Sequence, residues 1–357
     1  MPSPAILIPA DPLNPRRPDP HFAWEARLLR DLGGVRHLVD HDALLTGDAA
    51  DAEEAVRRVP EGAGPLWYRG WMLPSARYAG FAAALAARGC HLLTSPAGYR
   101  TAHELPGWYG VFEGATPPST WIPYGDGAAP GTQELAAAVA RLGGSGPAIV
   151  KDYVKSRKHE WHEACYVPEL ADLTAVGRVV GRFVELQGEF LAGGVVLRRF
   201  EQFERAGAVA ANGSNGGGSN GGGSNGGGSN GGGSNGGGSN GGGSNGGGSN
   251  GGGSNGGGSD SAGSDDGGRA VEARVWWLDG RPILVGPHPD APHQVVEPQL
   301  AGVSSLVRTL GCRFVTTDLA RLADGSGWRV VEVGDGQVSD LPRGIDASGL
   351  LTSLIAA

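Results

Sequence analysis

From about Gly207 to Gly268 the chain is dominated by an Asn-Gly-Gly-Gly-Ser repeat. Such a tract has almost nothing to bury, and it reads as a flexible coil without secondary structure or chemistry. Its root-mean-square span as a coil is roughly 40 Å. A folded core therefore has to be assembled from the segments on either side. Doubling a loop's length adds only about 0.6 kcal/mol of closure entropy. The tract can thus be an expanded surface loop inside one domain. That arrangement is expected here, because a candidate functional lysine precedes the tract and candidate functional acids follow it.

The acids lie in Gly327–Pro342, GWRVVEVGDGQVSDLP. Trp328, Val330, Val331 and Val333 have the composition of a buried strand. Glu332 sits inside that apolar run, where an unpaired carboxylate is costly and a metal ion is one of few favourable partners. The run breaks at Gly334-Asp335-Gly336, a corner carrying a second acid. Upstream, Phe314-Val315-Thr316-Thr317-Asp318 is another β-rich run ending in an acid, and Asp324-Gly325 between the runs signals a turn. Two neighbouring strands would set Asp318 close to Glu332. Such a pair suits Mg²⁺ held jointly with phosphate oxygens.

The formal net charge of -8 and pI near 5.6 argue against a general nucleic-acid binder, which carries a basic field. No stretch approaches the ~20 apolar residues that span a membrane. The N-terminal apolar run has no basic segment before it, so it reads as a first strand and not as a signal peptide. Cys90, Cys165 and Cys312 are odd in number and far apart, which fits a reducing cytoplasm and small buried thiols rather than disulfides or a zinc site.

In chain order, Ala5–Pro9 reads as a strand, Phe22–Leu32 as a helix stopped by Gly33-Gly34, Val35–Val39 as a strand and Asp51–Val59 as a helix. In Leu66-Trp67-Tyr68-Arg69-Gly70-Trp71, Arg69 either stacks on an aromatic ring or holds an anion. Ala76–Arg88 reads as a helix and Cys90–Leu93 as a short strand. This alternation predicts a small α/β domain. It has no GxGxxG or GxxxxGK[ST], so any nucleotide site is neither Rossmann nor P-loop. Tyr99–Tyr124, rich in Pro, Gly and aromatics, reads as a connecting segment on the surface. Thr132–Leu142 reads as a helix. Ala148-Ile149-Val150 then carries the chain inward as a strand and delivers Lys151, whose buried ammonium needs an anionic partner. Lys155–His159 is a basic cluster, either a solvated loop or a mobile cover for polyphosphate. Ala171–Gln187 has helical character and Gly193–Phe203 reads as a strand. Beyond the repeat, Val271–Leu278 and Arg281–Val285 flank Asp279-Gly280 as a hairpin.

Two histidine clusters do not read as metal sites. His159-Glu160-Trp161-His162-Glu163 is not HExxH, because its histidines are three apart. His288 and His293 lie among prolines and are expected on a surface loop. Lys151-Asp152-Tyr153-Val154 lacks the glycine of KxDG, and GxSxG is absent.

The order of WYRGWMLP, GPAIVKDYVKSRKH, VVLRRFEQF, VEARVWWLDG, the Asp318 strand and VVEVGDGQVSDLP resembles the ATP-grasp superfamily. More narrowly, it resembles the clade named for two arginines and a lysine, the R-two-K clade. The resemblance implies an α/β (α+β) fold in which an N-terminal α/β domain (1–125) precedes two antiparallel-sheet subdomains (126–206 and 270–357), with the insert at 207–269. It further implies ATP held between the two sheets. Lys151 matches the nucleotide-binding lysine, and Lys155, Arg157 and Lys158 fall on the phosphate loop. Arg198, Arg199 and Phe200 fall on the hinge flanking adenine; Arg199 stands where the clade commonly has an acid, which Glu201 would supply. Glu272 and Arg274 match an E-x-R pair whose members, two apart on a strand, share a face. Asp318 and Glu332 match the metal acids. Gly334 stands where the superfamily usually has Asn, and the third ligand is carried to Asp335.

The chemistry so implied is cytoplasmic ATP-dependent ligation with Mg²⁺, joining a carboxylate to an amine acceptor, a small molecule or a peptide, with Lys151 and Arg274 offsetting transferring charge. Nucleic acid and membrane are not expected partners. Two rivals stay open: a degenerate ATP-grasp nucleotide-binding or interaction protein, and a small-molecule phosphotransferase.

Overall fold

The computed structural model describes residues 3–46, 49–125, 128–206 and 269–357, and the glycine-rich repeat read above as a coil lies outside the described residues. β1 (Ala5–Asp11) is apolar on both faces and buried along nearly its whole length, as a strand sandwiched between helical layers must be. It is followed by β2 (Asn14–Pro18), α1 (Ala23–Asp31), β3 (Arg36–Val39), α2 (His41–Thr46), α3 (Ala49–Val56), β4 (Pro65–Tyr68), α4 (Ser75–Ala87) and β5 (His91–Leu92). β1 pairs in parallel with β3 and β4, β4 pairs in parallel with β5, and β2 folds back antiparallel on the end of β1.

Next come α5 (Pro96–His103), α6 (Leu105–Phe112) and β6 (Ser119–Pro123). This corrects the expectation of a surface connection over Tyr99–Tyr124. Tyr99, Ala102, Leu105, Trp108 and Phe112 are almost fully buried, and their spacing of three or four residues forms one apolar stripe across both helices. Pro106 of that stretch sits in the first turn of α6, as Pro96 does in α5, where a missing N–H costs no hydrogen bond.

A second sheet, in the order β6-β9-β7-β8, is antiparallel throughout. It contains β7 (Ala148–Lys151), β8 (Tyr166–Val167) and β9 (Gly194–Arg199), with α7 (Thr132–Arg141) and α8 (Leu173–Gln187) between them in sequence. Ala148, Val150, Val195 and Leu197 face these helices and meet Val139, Val180 and Phe183 in one core.

A third antiparallel sheet follows the repeat, in the order β11-β10-β12-β13. Its members are β10 (Glu272–Leu278), β11 (Arg281–Pro287), β12 (Phe314–Arg321) and β13 (Trp328–Asp335), with α9 (Ala301–Leu310) before β12 and α10 (Ser348–Ala356) closing the chain. The β10–β11 hairpin turns at Asp279 and Gly280, with φ of 48° and 73°. Two successive left-handed residues give the turn whose twist matches the strands. α10 returns to the N-terminal sheet, where Trp67 Nε1 donates to the Leu354 carbonyl at 3.0 Å. Ile6, Ile8 and Trp67 share a core there with Trp276 and Phe314 of the third sheet. The two ends of the chain therefore close one hydrophobic core. Among the described residues no helix is long and apolar enough to cross a membrane.

The N-terminal core also buries a titratable ring. His41 lies beside the Tyr68 hydroxyl, Nδ1 to oxygen 3.1 Å. Burial pushes its pKa down to about 4, against the nearby Asp19 and Asp40. A folded-state pKa below the unfolded value of about 6.5 means that the unfolded chain binds the extra proton. The contribution is therefore intact above pH 6.5 and is lost as pH falls toward 4. Between pH 7 and 4, wild type should lose about 3 kcal/mol relative to His41→Gln, measured by urea unfolding at each pH. A constant difference across that range would mean that His41 does not titrate this way.

Candidate active site

Three charged side chains form a row across the third sheet. Arg274 on β10 stands opposite Asp318 on β12, and Asp318 stands opposite Glu332 on β13. Directly opposed residues project from the same face, so the row lies on one surface, as expected for Asp318 and Glu332. An irregularity in the β12–β13 ladder makes the second pairing possible. Leu319 pairs with Val330 while Asp318 pairs with Glu332, leaving Val331 extra. The bulge puts Val330 and Val333, three residues apart, in the same apolar core and turns Glu332 to the other side.

Arg274 grips Asp318 through two hydrogen bonds, Nε to Oδ1 and Nη2 to Oδ2, each 2.7 Å. Burial raises the cost of a charged Asp318, but Arg274, with His288, outweighs it and holds the carboxyl well below the usual range. His288 Nε2 lies 3.0 Å from Arg274 Nη2 and 3.5 Å from Asp318 Oδ2. His288 is only 2% exposed, which corrects its expected place on a surface loop: the proline-rich turn folds inward because its ring packs against this ion pair. Glu272, two residues before Arg274 and on the same face, is also buried. Burial drives its pKa up, and Lys158 of the basic loop pulls against that shift. Glu332 is half-buried at the rim, less enclosed than its apolar neighbours suggested.

Asp335 stands opposite Val315, on the face away from Asp318 and Glu332. Its Oδ1 accepts from Gln337 N and Nε2, both at 3.0 Å, and burial pushes its pKa up to about 7. Strand alternation thus separates it from the two acids with which the sequence grouped it. Among the described residues no cluster of three or more His, Cys, Asp or Glu side chains is placed to hold a metal. Gly334 faces the cleft, and a Cβ there would sit 3.0 Å from Thr316 Oγ1 and 3.5 Å from Ser339 Oγ. Those two hydroxyls, 2.7 Å apart, occupy the space that an Asn side chain would need.

The turn after β13 is held from the N-terminal domain. Arg69, 1% exposed, pairs with Glu25 through Nε and Nη2, both at 2.9 Å. Its Nη1 donates to the carbonyls of Gly336, Gln337 and Ser339 at 2.8, 3.2 and 2.9 Å. Of the two readings left open for Arg69, the anion is the one realised, and the anion is internal. His21 Nε2 lies 2.7 Å from Asp340 Oδ1.

Lys151, almost fully buried at the end of β7, stands opposite Val196 on β9. It therefore shares a face with Val196 and Arg198, away from α7 and α8. Arg198 Nη2 donates to Thr116 Oγ1 at 2.8 Å, and its guanidinium lies 5.9 Å from the Trp108 ring centre. Arg199 faces the opposite way and donates to the Ser145 carbonyl. Phe200 packs edge-on against Trp161 and Tyr166. Glu201 is held by Arg329 of β13 through two 2.8 Å hydrogen bonds, tying the hinge to the third sheet.

The basic segment divides in two. Arg157 is tied to Glu160, Leu186 and Gln187. Lys155 and Lys158 lie close enough to His103 and Glu272 respectively to influence their titration. Asp152, which the sequence reading did not select, shapes this loop: its carboxylate accepts from the amides of Val154, Lys155 and Ala192 and from Gln187 Nε2.

A cleft borders the charged row, lined by Arg274, Asp318, Glu332 and Asp335 together with Thr316, Ser339, Asp340, Val154, Met72 and His103. Ser339 and Asp340 belong to GWRVVEVGDGQVSDLP and Met72 to WYRGWMLP, although none was expected as a site residue, and His103 carries no local signal. Met72 and His103 enter the cleft only because the N-terminal domain and α5 pack beside β13. The arrangement sets two carboxylates and an arginine at one cleft, with the charges of Lys155 and Lys158 acting on the nearby His103 and Glu272, which suits a polyanion accompanied by a hard cation.

Residues 141–216 and 254–354 match the model of a family described as ATP-grasp domain, R-two-K clade family 3. No curated protein sequence matches the chain. Solved structures that share the fold include two at 14% and 15% identity. A RimK domain protein ATP-grasp from Sphaerobacter thermophilus is 14% identical with a TM-score of 0.52, over 99% of this chain and 100% of that one. D-cycloserine synthetase DcsG is 15% identical with a TM-score of 0.53, over 99% of this chain and 98% of that one. The family match covers β7, β8 and β9 and the whole third sheet, which carries Arg274, Asp318 and Glu332, and the chain belongs to the ATP-grasp superfamily, in its R-two-K clade.

Proposed function

We propose that the protein is an ATP-dependent ligase that joins a carboxylate to an amine through an acylphosphate, with Mg·ATP as co-substrate. The observation that carries this reading is the in-register row Arg274–Asp318–Glu332 bordering a cleft, with Lys155 near enough to His103 of that cleft, and Lys158 to Glu272, for their charges to act there. The donor set fits Mg²⁺, which takes one or two protein carboxylates and completes its shell with phosphate oxygens and water. Asp318 and Glu332 would be those two ligands, and Asp335 would support the turn behind them. Bound Mg²⁺ supplies charge neutralisation along the phosphates.

The remaining roles belong to the chain. Lys151 and Arg274 offset charge on the transferring phosphoryl group, Lys155 and Lys158 cover the phosphates, and Phe200 flanks the base. A substrate carboxylate attacks the γ-phosphorus and ADP departs. The amine then attacks the acyl carbon, loses a proton and expels phosphate, leaving an amide. The protein's contribution is positioning and preorganised charge. The setting we propose is cytoplasmic.

Purified protein with Mg·ATP and a panel of carboxylates and amines should release ADP and phosphate and yield an amide by mass spectrometry. Lys151→Ala should lower turnover at least about a thousandfold, as loss of a main transition-state contact does. AMP and pyrophosphate would refute the acylphosphate route, and a phosphorylated product without amide would identify a phosphotransferase. The Arg274 grip on both oxygens of Asp318 favours one alternative, a nucleotide binder without turnover. Saturable ATP binding with no ATP consumption across the panel would establish it.

A further inference from the structure

We infer that His103 contacts substrate: its imidazole donates a hydrogen bond to the terminal phosphoryl group of the bound nucleotide. This rests on the reading of the cleft as an ATP site and adds a residue from α5, outside both sheets. His103 is the last residue of α5, is 7% exposed, and lines the cleft with Val154, Arg274 and Asp318. Its ring stacks on Tyr99, centroids 4.9 Å apart at 28°. Tyr99 is fixed in turn: its hydroxyl donates to the Leu73 carbonyl at 2.7 Å and accepts from the Leu73 amide at 3.1 Å. Packing therefore sets the imidazole plane, and among the described residues the ring has no hydrogen-bond partner. A polar ring held in this way at the border of a cleft is open to a hydrogen-bonding partner that enters there.

The neighbours select the kind of partner. Burial first, and then the Lys155 charge, disfavour the imidazolium. The ring is a neutral N–H donor beside an ammonium, a pairing that welcomes oxyanions and repels cations. Asp318 and Glu332 on the other side would reject a bare anion, so the oxyanion enters together with a cation that neutralises them, as a metal–nucleotide complex does. The position along the nucleotide also follows. Phe200 belongs to a separate aromatic cluster with Trp161 and Tyr166, outside the residues lining this cleft. His103 shares its wall with Met72 of the N-terminal domain. With the base at Phe200, the imidazole meets the far, terminal phosphoryl group.

The test compares Mg·ADP with Mg·AMPPNP by calorimetry on wild type, His103→Phe and His103→Gln. His103→Phe should lose about tenfold in affinity for Mg·AMPPNP, the worth of one hydrogen bond to a charged group, with Mg·ADP changed less than about twofold. His103→Gln, which keeps an N–H donor, should recover most of the loss. In wild type, the His103 imidazole ¹⁵N resonances should move on adding Mg·AMPPNP and stay put with Mg·ADP. This readout, with the Gln variant, decides the matter if the Phe variant does not fold. Equal losses for both nucleotides, or none, overturn the inference while leaving the ATP site standing. Wild type that binds neither nucleotide overturns both.

Discussion

Asp318→Asn should destabilise the protein by about 3–5 kcal/mol, the cost of stripping one partner from a buried ion pair. Arg274 and Asp318 are 5% and 3% exposed, and both Asp318 oxygens are engaged by the guanidinium. An amide in that place can present only one acceptor oxygen, and its NH₂ points donors at a buried cation. Glu332→Gln makes the informative contrast. Glu332 is half-buried at the rim, so its substitution should change stability by less than about 1 kcal/mol. Under the proposed function both variants should lose Mg²⁺-dependent turnover by orders of magnitude. Urea unfolding separates the two effects, and Mn²⁺ binding followed by electron paramagnetic resonance reads the metal site directly. If Glu332→Gln binds Mn²⁺ and nucleotide like wild type, the metal assignment is wrong.

Arg69→Leu should be equally damaging, by about 3–5 kcal/mol, although Arg69 does not line the cleft. Its removal leaves Glu25, 2% exposed, without its cation, and deprives the carbonyls of Gly336, Gln337 and Ser339 of a donor. An uncompensated buried carboxylate costs more than a missing pair. The double variant Glu25→Leu/Arg69→Leu should therefore be more stable than Arg69→Leu alone. Both should still lower nucleotide affinity, because the turn bearing Ser339 and Asp340 loses its anchor. Strict additivity of the two substitutions would show that the pair is not coupled, against the 2.9 Å geometry.

What the sequence determined by itself was local. Strand runs with acids at their ends, a lysine delivered by an apolar strand, and an Asp-Gly turn are set by side chains close in the chain, and the family resemblance was carried by the same short runs. The glycine-rich repeat announced itself as a tract with nothing to bury. Helices α5 and α6 were misread because proline in a first helical turn has the same local signature as proline in a loop. Only the burial of Trp108 and Phe112 distinguishes the two. Tertiary structure decided the rest. It turned Asp335 to the opposite face of the strand from Glu332, through the alternation that follows a one-residue bulge. It folded His288 onto the Arg274–Asp318 pair, brought Met72 and His103 from the N-terminal half of the chain to the cleft, and set Arg69 against the turn after β13. Residues more than two hundred positions apart meet there because the first and third sheets close a common apolar core, and a short sequence window holds no information about such a closure.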